Sequence, residues 1–228
     1  MRYLIAETSW TMMNIARRLV EDGSLLTRTD RPEDIAHYLR LGEIDAVVLE
    51  GGATVSNGLS LAALRAICGS VPVVLIADRA QRSQIAEWLA AGADTVISAS
   101  TDPTEISARI LAVARRAHGC SSPTLTFGPL HLDLARRRAQ LDGAWLHLTP
   151  KVYEILEFMA LRAGTLVTRD ALLSHVYGLE GEPDARVFDV YMCTLRGHLK
   201  AAGEAVQIQT MRGEGFRFVA EGGAAEAA

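Results

Sequence analysis

Apolar positions along the first half of the chain come in short unbroken runs separated by amphipathic stretches. The runs are Tyr3-Leu4-Ile5-Ala6, Ala46-Val47-Val48-Leu49, Val71-Pro72-Val73-Val74-Leu75-Ile76 and Thr95-Val96-Ile97. Such runs suit strands buried on both faces, as in a parallel sheet. Between them the spacing predicts helices over Met12 to Glu21, Pro32 to Leu41, Leu59 to Ile67, Arg79 to Ala91 and Pro103 to Arg116. The last opens on Asp102-Pro103-Thr104-Glu105, which supplies a capping carboxylate, a proline at the first helical position and an acid in the first turn. Alternation of strand and helix predicts a doubly wound α/β domain over residues 1–118.

The alternation stops at Gly119-Cys120-Ser121-Ser122-Pro123, so residues 119–124 read as a linker. A second pattern fills residues 125–220. Leu125-Thr126-Phe127, Leu130-His131-Leu132-Asp133-Leu134 and Arg138-Ala139-Gln140-Leu141 predict short strands, turned by Asp142-Gly143. Helices are predicted over Pro150 to Arg162, Arg169 to Val176 and Asp184 to Ala201, then a hairpin from Val206-Gln207-Ile208-Gln209-Thr210 and Phe216-Arg217-Phe218-Val219. In the third helix Phe188, Met192, Leu195 and Leu199 make one apolar stripe, which leaves Arg186, Val190, Tyr191, Thr194, Arg196 and His198 on the other face. Three helices followed by a ribbon is the winged form of helix-turn-helix, in which one helix enters the major groove of DNA. Residues 221–228 contain only Gly, Ala and Glu and predict a frayed tail.

Composition pulls the other way. The 228 residues carry a net charge of -4, with 22% charged and 49% hydrophobic residues, a globular balance without the basic surplus of a dedicated nucleic-acid binder. Residues 121–228 hold 11 Lys+Arg against 13 Asp+Glu, so any positive field there is local. Three cysteines fit a reducing compartment rather than a disulfide framework. With no apolar run of membrane-spanning length and no signal-like N-terminus, a cytoplasmic protein without membrane attachment is expected. The six histidines lack metal-ligand spacing and Glu50-Gly51-Gly52 has no phosphate-loop pattern, so no cofactor, metal or enzymatic activity is expected.

The order of motifs decides between these readings. Leu148-Thr149-Pro150-Lys151-Val152-Tyr153-Glu154-Ile155-Leu156, Leu166-Val167-Thr168-Arg169-Asp170-Ala171-Leu172-Leu173, Arg186-Val187-Phe188-Asp189-Val190-Tyr191 with Leu195-Arg196, and Ile208-Gln209-Thr210-Met211-Arg212-Gly213-Glu214-Gly215-Phe216-Arg217-Phe218 follow one another. In that order and spacing they resemble the effector domain of the OmpR/PhoB response regulators, over residues 125–219. The resemblance implies a transcription regulator with double-stranded DNA as partner and RNA polymerase as a further contact. It places Val190, Tyr191 and Thr194 at base-facing positions with Val187 nearby, Arg186 and Arg196 at phosphate or groove-edge positions, and Arg169, Tyr177 and Thr210 at backbone-phosphate positions. Arg212, at the wing tip, matches a residue that enters the minor groove, where narrow A·T segments attract a guanidinium. Basic residues common in the family are absent at Cys193 and Gly197, which implies few phosphate contacts and a reliance on dimerisation for affinity.

The same resemblance makes the first half a receiver-like (flavodoxin/CheY-like) domain ahead of the α+β winged helix-turn-helix domain. Receiver chemistry needs an Asp nucleophile, an acidic pair for Mg²⁺, a hydroxyl switch residue and a Lys. Here the phosphoacceptor position is Glu50 and the acidic pair is reduced to Glu7 and Thr8. The switch positions carry Ala77, Val96 and Ala99. Joint loss of these groups predicts a regulator independent of aspartyl phosphorylation, with no cognate histidine kinase acting that way. Glu50 reads either as a mimic of the phosphorylated state or as a remnant. Asp94, Glu105, Arg109 and Arg116 match charged positions of the family's dimer face, while Thr95 and Ile85 lack the usual charges. A homodimer through this face is expected, with apolar packing by Leu89, Ile106 and Ile110. The alternative from another class is a first domain that senses a small molecule or partner protein. Redox control through Cys68, Cys120 or Cys193 is the weaker reading, because each has a plain structural role.

Overall fold

The computed structural model describes residues 1–52, 60–178, 184 and 186–220. Two compact units divide between Ala117 and His118. In the first, β1 (Arg2–Ala6), α1 (Trp10–Glu21), β2 (Leu25–Thr29), α2 (Ile35–Leu41), β3 (Ala46–Glu50) and α3 (Leu61–Cys68) are followed by β4 (Val73–Ala77), α4 (Arg82–Ala90), β5 (Thr95–Ser98) and α5 (Pro103–Ala117). The strands form one parallel sheet in the order β2-β1-β3-β4-β5, the doubly wound arrangement that the alternation predicts. The inner strands β1, β3 and β4 are buried almost throughout, which is why their sequences are unbroken apolar runs.

The departures have local causes. Strand β2 was not among the predicted runs: it is an edge strand paired only with β1, and Leu-Leu-Thr-Arg-Thr is mostly half-buried, so no apolar run marks it. Helix α4 starts at Arg82 rather than Arg79, because Arg79 sits at φ +51, outside the helical region. Leu59 lies outside the described residues, and α3 is capped by Ser60, whose hydroxyl accepts from the Ala63 N–H at 3.1 Å. Helix α5 opens as its motif predicts, with Asp102 Oδ1 accepting from the Thr104 N–H at 2.8 Å.

The second unit contains an antiparallel sheet of β6 (Thr124–Phe127), β7 (Leu130–Asp133), β8 (Arg138–Leu141) and β9 (Ala144–Trp145). Helix α6 (Pro150–Ala160) follows, then β10 (Leu166–Thr168), α7 (Arg169–Tyr177), α8 (Val187–Leu199), β11 (Val206–Met211) and β12 (Gly215–Ala220). The ribbon is a three-stranded sheet, β10-β12-β11. Strands β9 and β10 span two and three residues, too short for a periodic signal. Helix α6 is buried from Val152 to Ala160 and carries the core. Even Glu154 is enclosed there: burial pushes its carboxyl above the usual range, and Arg137 opposes that shift across a 3.2 Å ion pair.

The Arg212-Gly213-Glu214-Gly215 turn has a packing reason. Gly215 pairs with Thr168 of β10 at φ +152, and a Cβ there would drive into the Val167 carbonyl. Only glycine lets β10 approach β12 at this point. The predicted tail, 221–228, lies outside the described residues.

Candidate nucleic-acid interface

Helix α8 presents two faces, as its sequence predicts. Phe188, Met192, Leu195 and Leu199 are buried in the second unit. At 100° per residue, Val190 and Gly197 centre the opposite face, with Arg186, Thr194 and Cys193 beside them and half-buried Val187 at its margin. Val190 is 65% exposed, a large aliphatic side chain held in solvent by a helix whose other side is full. Thr194 Oγ1 donates to the Val190 carbonyl at 3.0 Å, which turns its methyl group and Val190 into one small apolar strip. Such a strip suits thymine methyl groups. Arg186 stands exposed at the N-terminus of the helix, 3.9 Å from Asp184.

The two flanks of α8 are tied to different elements. On one side Arg196 Nε donates to the Ile208 carbonyl at 2.9 Å and its Nη2 to Thr210 Oγ1 at 2.7 Å, so one guanidinium fastens the helix to β11. Arg169 joins the same side, pairing with Asp189 at 2.8 Å while lying over the Phe216 ring of β12. Arg212 is exposed in the turn beyond β11. On the other side the Tyr191 and Tyr177 hydroxyls meet at 3.1 Å, and Lys151 Nζ lies 3.9 Å from the centre of the Tyr177 ring. Tyr191, a base-facing position by resemblance, thus turns its hydroxyl to the flank. The structure gathers the sequence-derived residues around α8 on one face and two flanks.

The pocket at the ends of β1, β3 and β4 is built differently. Thr8 Oγ1 donates to Glu50 Oε2 at 2.7 Å, and Glu7 Oε1 faces Arg28 of β2 at 3.4 Å. Ala77 ends β4 without a hydroxyl, and the Ala99 N–H returns to the Ala77 carbonyl at 2.9 Å. Val96 is a half-buried strand residue packed against the domain core. Trp88 of α4, only 8% exposed, packs beside Gly51. A Cβ on Gly51 would stand 2.9 Å from Trp88 Cη2 and 3.3 Å from the Ala77 Cβ. These residues do not fit a Mg²⁺ centre: one acid is engaged by an arginine, the other accepts from a threonine, and an indole occupies the neighbouring volume. Among the described residues no three His, Cys, Asp or Glu side chains are arranged to hold a metal ion.

Comparison with known proteins matches this architecture. The family described as "Transcriptional regulatory protein, C terminal" matches residues 143–218, from β9 to the wing. The cell cycle transcriptional regulator CtrA of Caulobacter vibrioides is 29% identical over 215 residues, 93% of each chain. The cell cycle response regulator CtrA of Brucella anthropi is 30% identical over 215 residues, again 93% of each chain. The chain belongs to the OmpR/PhoB family of response regulators. Among solved structures, the response regulator DrrB, an OmpR/PhoB homolog from Thermotoga maritima, is 22% identical with a TM-score of 0.44, covering 96% of this chain and 98% of its own.

As a response regulator the chain uses its α4-β5-α5 charges in its own way. Asp94 Oδ2 accepts from Arg65 Nη1 at 2.9 Å and from the Val73 N–H at 2.7 Å, pinning the start of β4. Glu105 and Arg109 pair along α5 at 2.6 Å, and Arg116 is exposed one residue before the helix end. Ile106 and Ile110, expected to pack across a dimer, do not: they are 1% and 0% exposed in their own core, because α5 turns that stripe inward to bury it against the sheet. Leu89, at 44% exposure, is the apolar residue that stays on the surface. Sequence reasoning missed Trp88 and Lys151. A bulky aromatic on the helix that packs over Glu50-Gly51-Gly52 was the available signal for the first; nothing in spacing alone marks the second.

Proposed function

We propose that this response regulator is a DNA-binding transcription regulator whose receiver-like domain acts without aspartyl phosphorylation, as a homodimer in the cytoplasm. The observation that carries the DNA-binding part is α8: one face fully buried, the opposite face an exposed Val190-Thr194 strip, and cationic or hydroxyl groups on both flanks. A helix with that division has the form of a groove reader. The CtrA regulators are named for transcriptional control, which supports the same reading. Phosphorylation independence is supported by the altered pocket. Glu50 stands at the acceptor position and is held by Thr8, and Ala77 and Ala99 offer a phosphoryl group neither the hydroxyl nor the ammonium that would pair with it. Glu50 then works as a fixed anchor between the ends of β1 and β3.

Dimerisation rests on the small number of cations around α8. Each unit offers few phosphate contacts, and two linked copies raise effective affinity without new contacts per copy. Leu89 and Arg116 on the α4-β5-α5 side are the exposed groups proposed for that contact.

Cys193 gives a direct test of the groove. It is exposed on the outer face of α8, whereas Cys68 and Cys120 are buried, and burial raises the Cys68 thiol to about 11 despite the neighbouring Arg65. In native protein at neutral pH, maleimide is expected to label Cys193 first, and a bound duplex to slow that labelling by at least about tenfold. Unchanged Cys193 labelling at saturating DNA contradicts entry of α8 into a groove.

A further inference from the structure

The geometry points to Lys151 and the Tyr177–Tyr191 pair as a phosphate clamp on the flank of α8 away from the wing. The inference rests on the DNA-binding reading above and adds Lys151, which the motifs do not assign, together with the joint use of the two tyrosine hydroxyls. Lys151 is in the first turn of α6 and its Nζ lies 3.9 Å from the Tyr177 ring centre, so the ring face fixes where the charge stands. Among the described residues no carboxylate comes within ion-pair distance of it; Glu154, one turn further along α6, is engaged by Arg137 at 3.2 Å. Lys151 therefore makes no close ion pair, and its charge reaches Glu154 only through space.

The two tyrosines supply the second donor. Their hydroxyls share one hydrogen bond at 3.1 Å, which uses one of the two O–H protons and leaves the other to donate outward. Burial and that mutual contact raise the Tyr177 phenol to about 12, so its hydroxyl keeps its proton at physiological pH. An ammonium and an outward O–H side by side match a phosphodiester oxygen pair, the group met by any helix lying in a groove. The clamp also balances the helix. Arg196 and Arg212 stand on the wing side of α8, and Lys151 is the cation seated at the Tyr177–Tyr191 pair on the opposite flank. A groove has a phosphate chain along each edge, and a helix gripped on one edge only leaves its register loosely set.

The test is DNA binding by the full chain, measured across a salt series with a duplex recovered by genome-wide mapping and with a random duplex of equal length. Lys151→Gln is expected to weaken both about tenfold and to reduce the slope of log K against log salt by about 0.9, the release of one counterion. Lys151→Arg restores the slope. Tyr177→Phe and Tyr191→Phe each leave one outward hydroxyl and shift affinity by less than about threefold, whereas the double variant loses about fivefold or more with the slope unchanged. Melting of Lys151→Gln stays within about 3 °C of wild type, as for a surface change. A wild-type slope in Lys151→Gln, with or without weaker binding, overturns the clamp while leaving DNA binding by the rest of α8 intact. A wild-type chain that binds no duplex at any salt overturns both readings.

Discussion

Trp88→Ala is expected to destabilise the receiver-like unit by about 3–5 kcal/mol, the usual cost of emptying a buried tryptophan site. Domains of this size have net stabilities of about 5–15 kcal/mol, so the loss is a large fraction of the whole. It should appear as a fall of roughly 10–25 °C in the melting of residues 1–117 within the full chain. The size follows from what the ring does: it belongs to the same core cluster as Leu49, Leu75 and Ala77 and covers Gly51, which offers no side chain of its own. Gly51→Ala gives the complementary result. In wild type its methyl stands 2.9 Å from Trp88 Cη2 and forces the ring aside, at about 1–3 kcal/mol. In the Trp88→Ala background the same methyl enters vacated space and is neutral or stabilising. Urea unfolding of the four proteins measures the coupling; additive effects contradict the packing of Trp88 on Gly51.

Arg196→Ala should weaken operator binding by about 10- to 100-fold while costing the fold no more than about 1.5 kcal/mol. The guanidinium is exposed enough for folding to tolerate its loss, but its two bonds to the Ile208 carbonyl and Thr210 hydroxyl set where the wing stands relative to α8. Hydrogen bonds to a charged group are worth about 1.5–3 kcal/mol, and each 1.4 kcal/mol is tenfold in affinity. Arg196→Lys is the discriminating control. A single ammonium keeps the charge but cannot span both acceptors, so it restores the salt slope and little of the affinity. Full restoration by lysine would mean that Arg196 acts as a point charge and does not position the wing.

How much of this was legible beforehand varies with the kind of signal. The buried strands β1, β3 and β4 and the stripe of α8 were readable because burial on fixed faces imposes a period on the sequence. Strand β2, half exposed at the sheet edge, and β10, three residues long, carry no such period and were missed. The site residues around α8 followed from ordered motifs, yet their pairings did not: that Arg196 holds Thr210, and that Tyr191 turns to Tyr177, depends on distances between elements that spacing does not encode. Ile106 and Ile110 show the opposite error. As apolar residues on a helix that the family resemblance places at a dimer face they invited an interface role, but a helix covering a sheet must spend its apolar stripe on that sheet first. Net charge misled in the same way, since -4 over the chain says nothing about where Lys151, Arg186, Arg196 and Arg212 stand.

The protein proposed here is a DNA reader whose regulatory half has no phosphoryl switch. The most direct measurement is the affinity of the full chain for duplexes recovered by genome-wide mapping, with and without acetyl phosphate and Mg²⁺, and with intact mass recorded on the same samples. Specific binding over a random duplex, the same dissociation constant in both arms, and no added phosphoryl mass are expected. Binding that appears or tightens only with acetyl phosphate, together with the mass of one phosphoryl group on the protein, would contradict it.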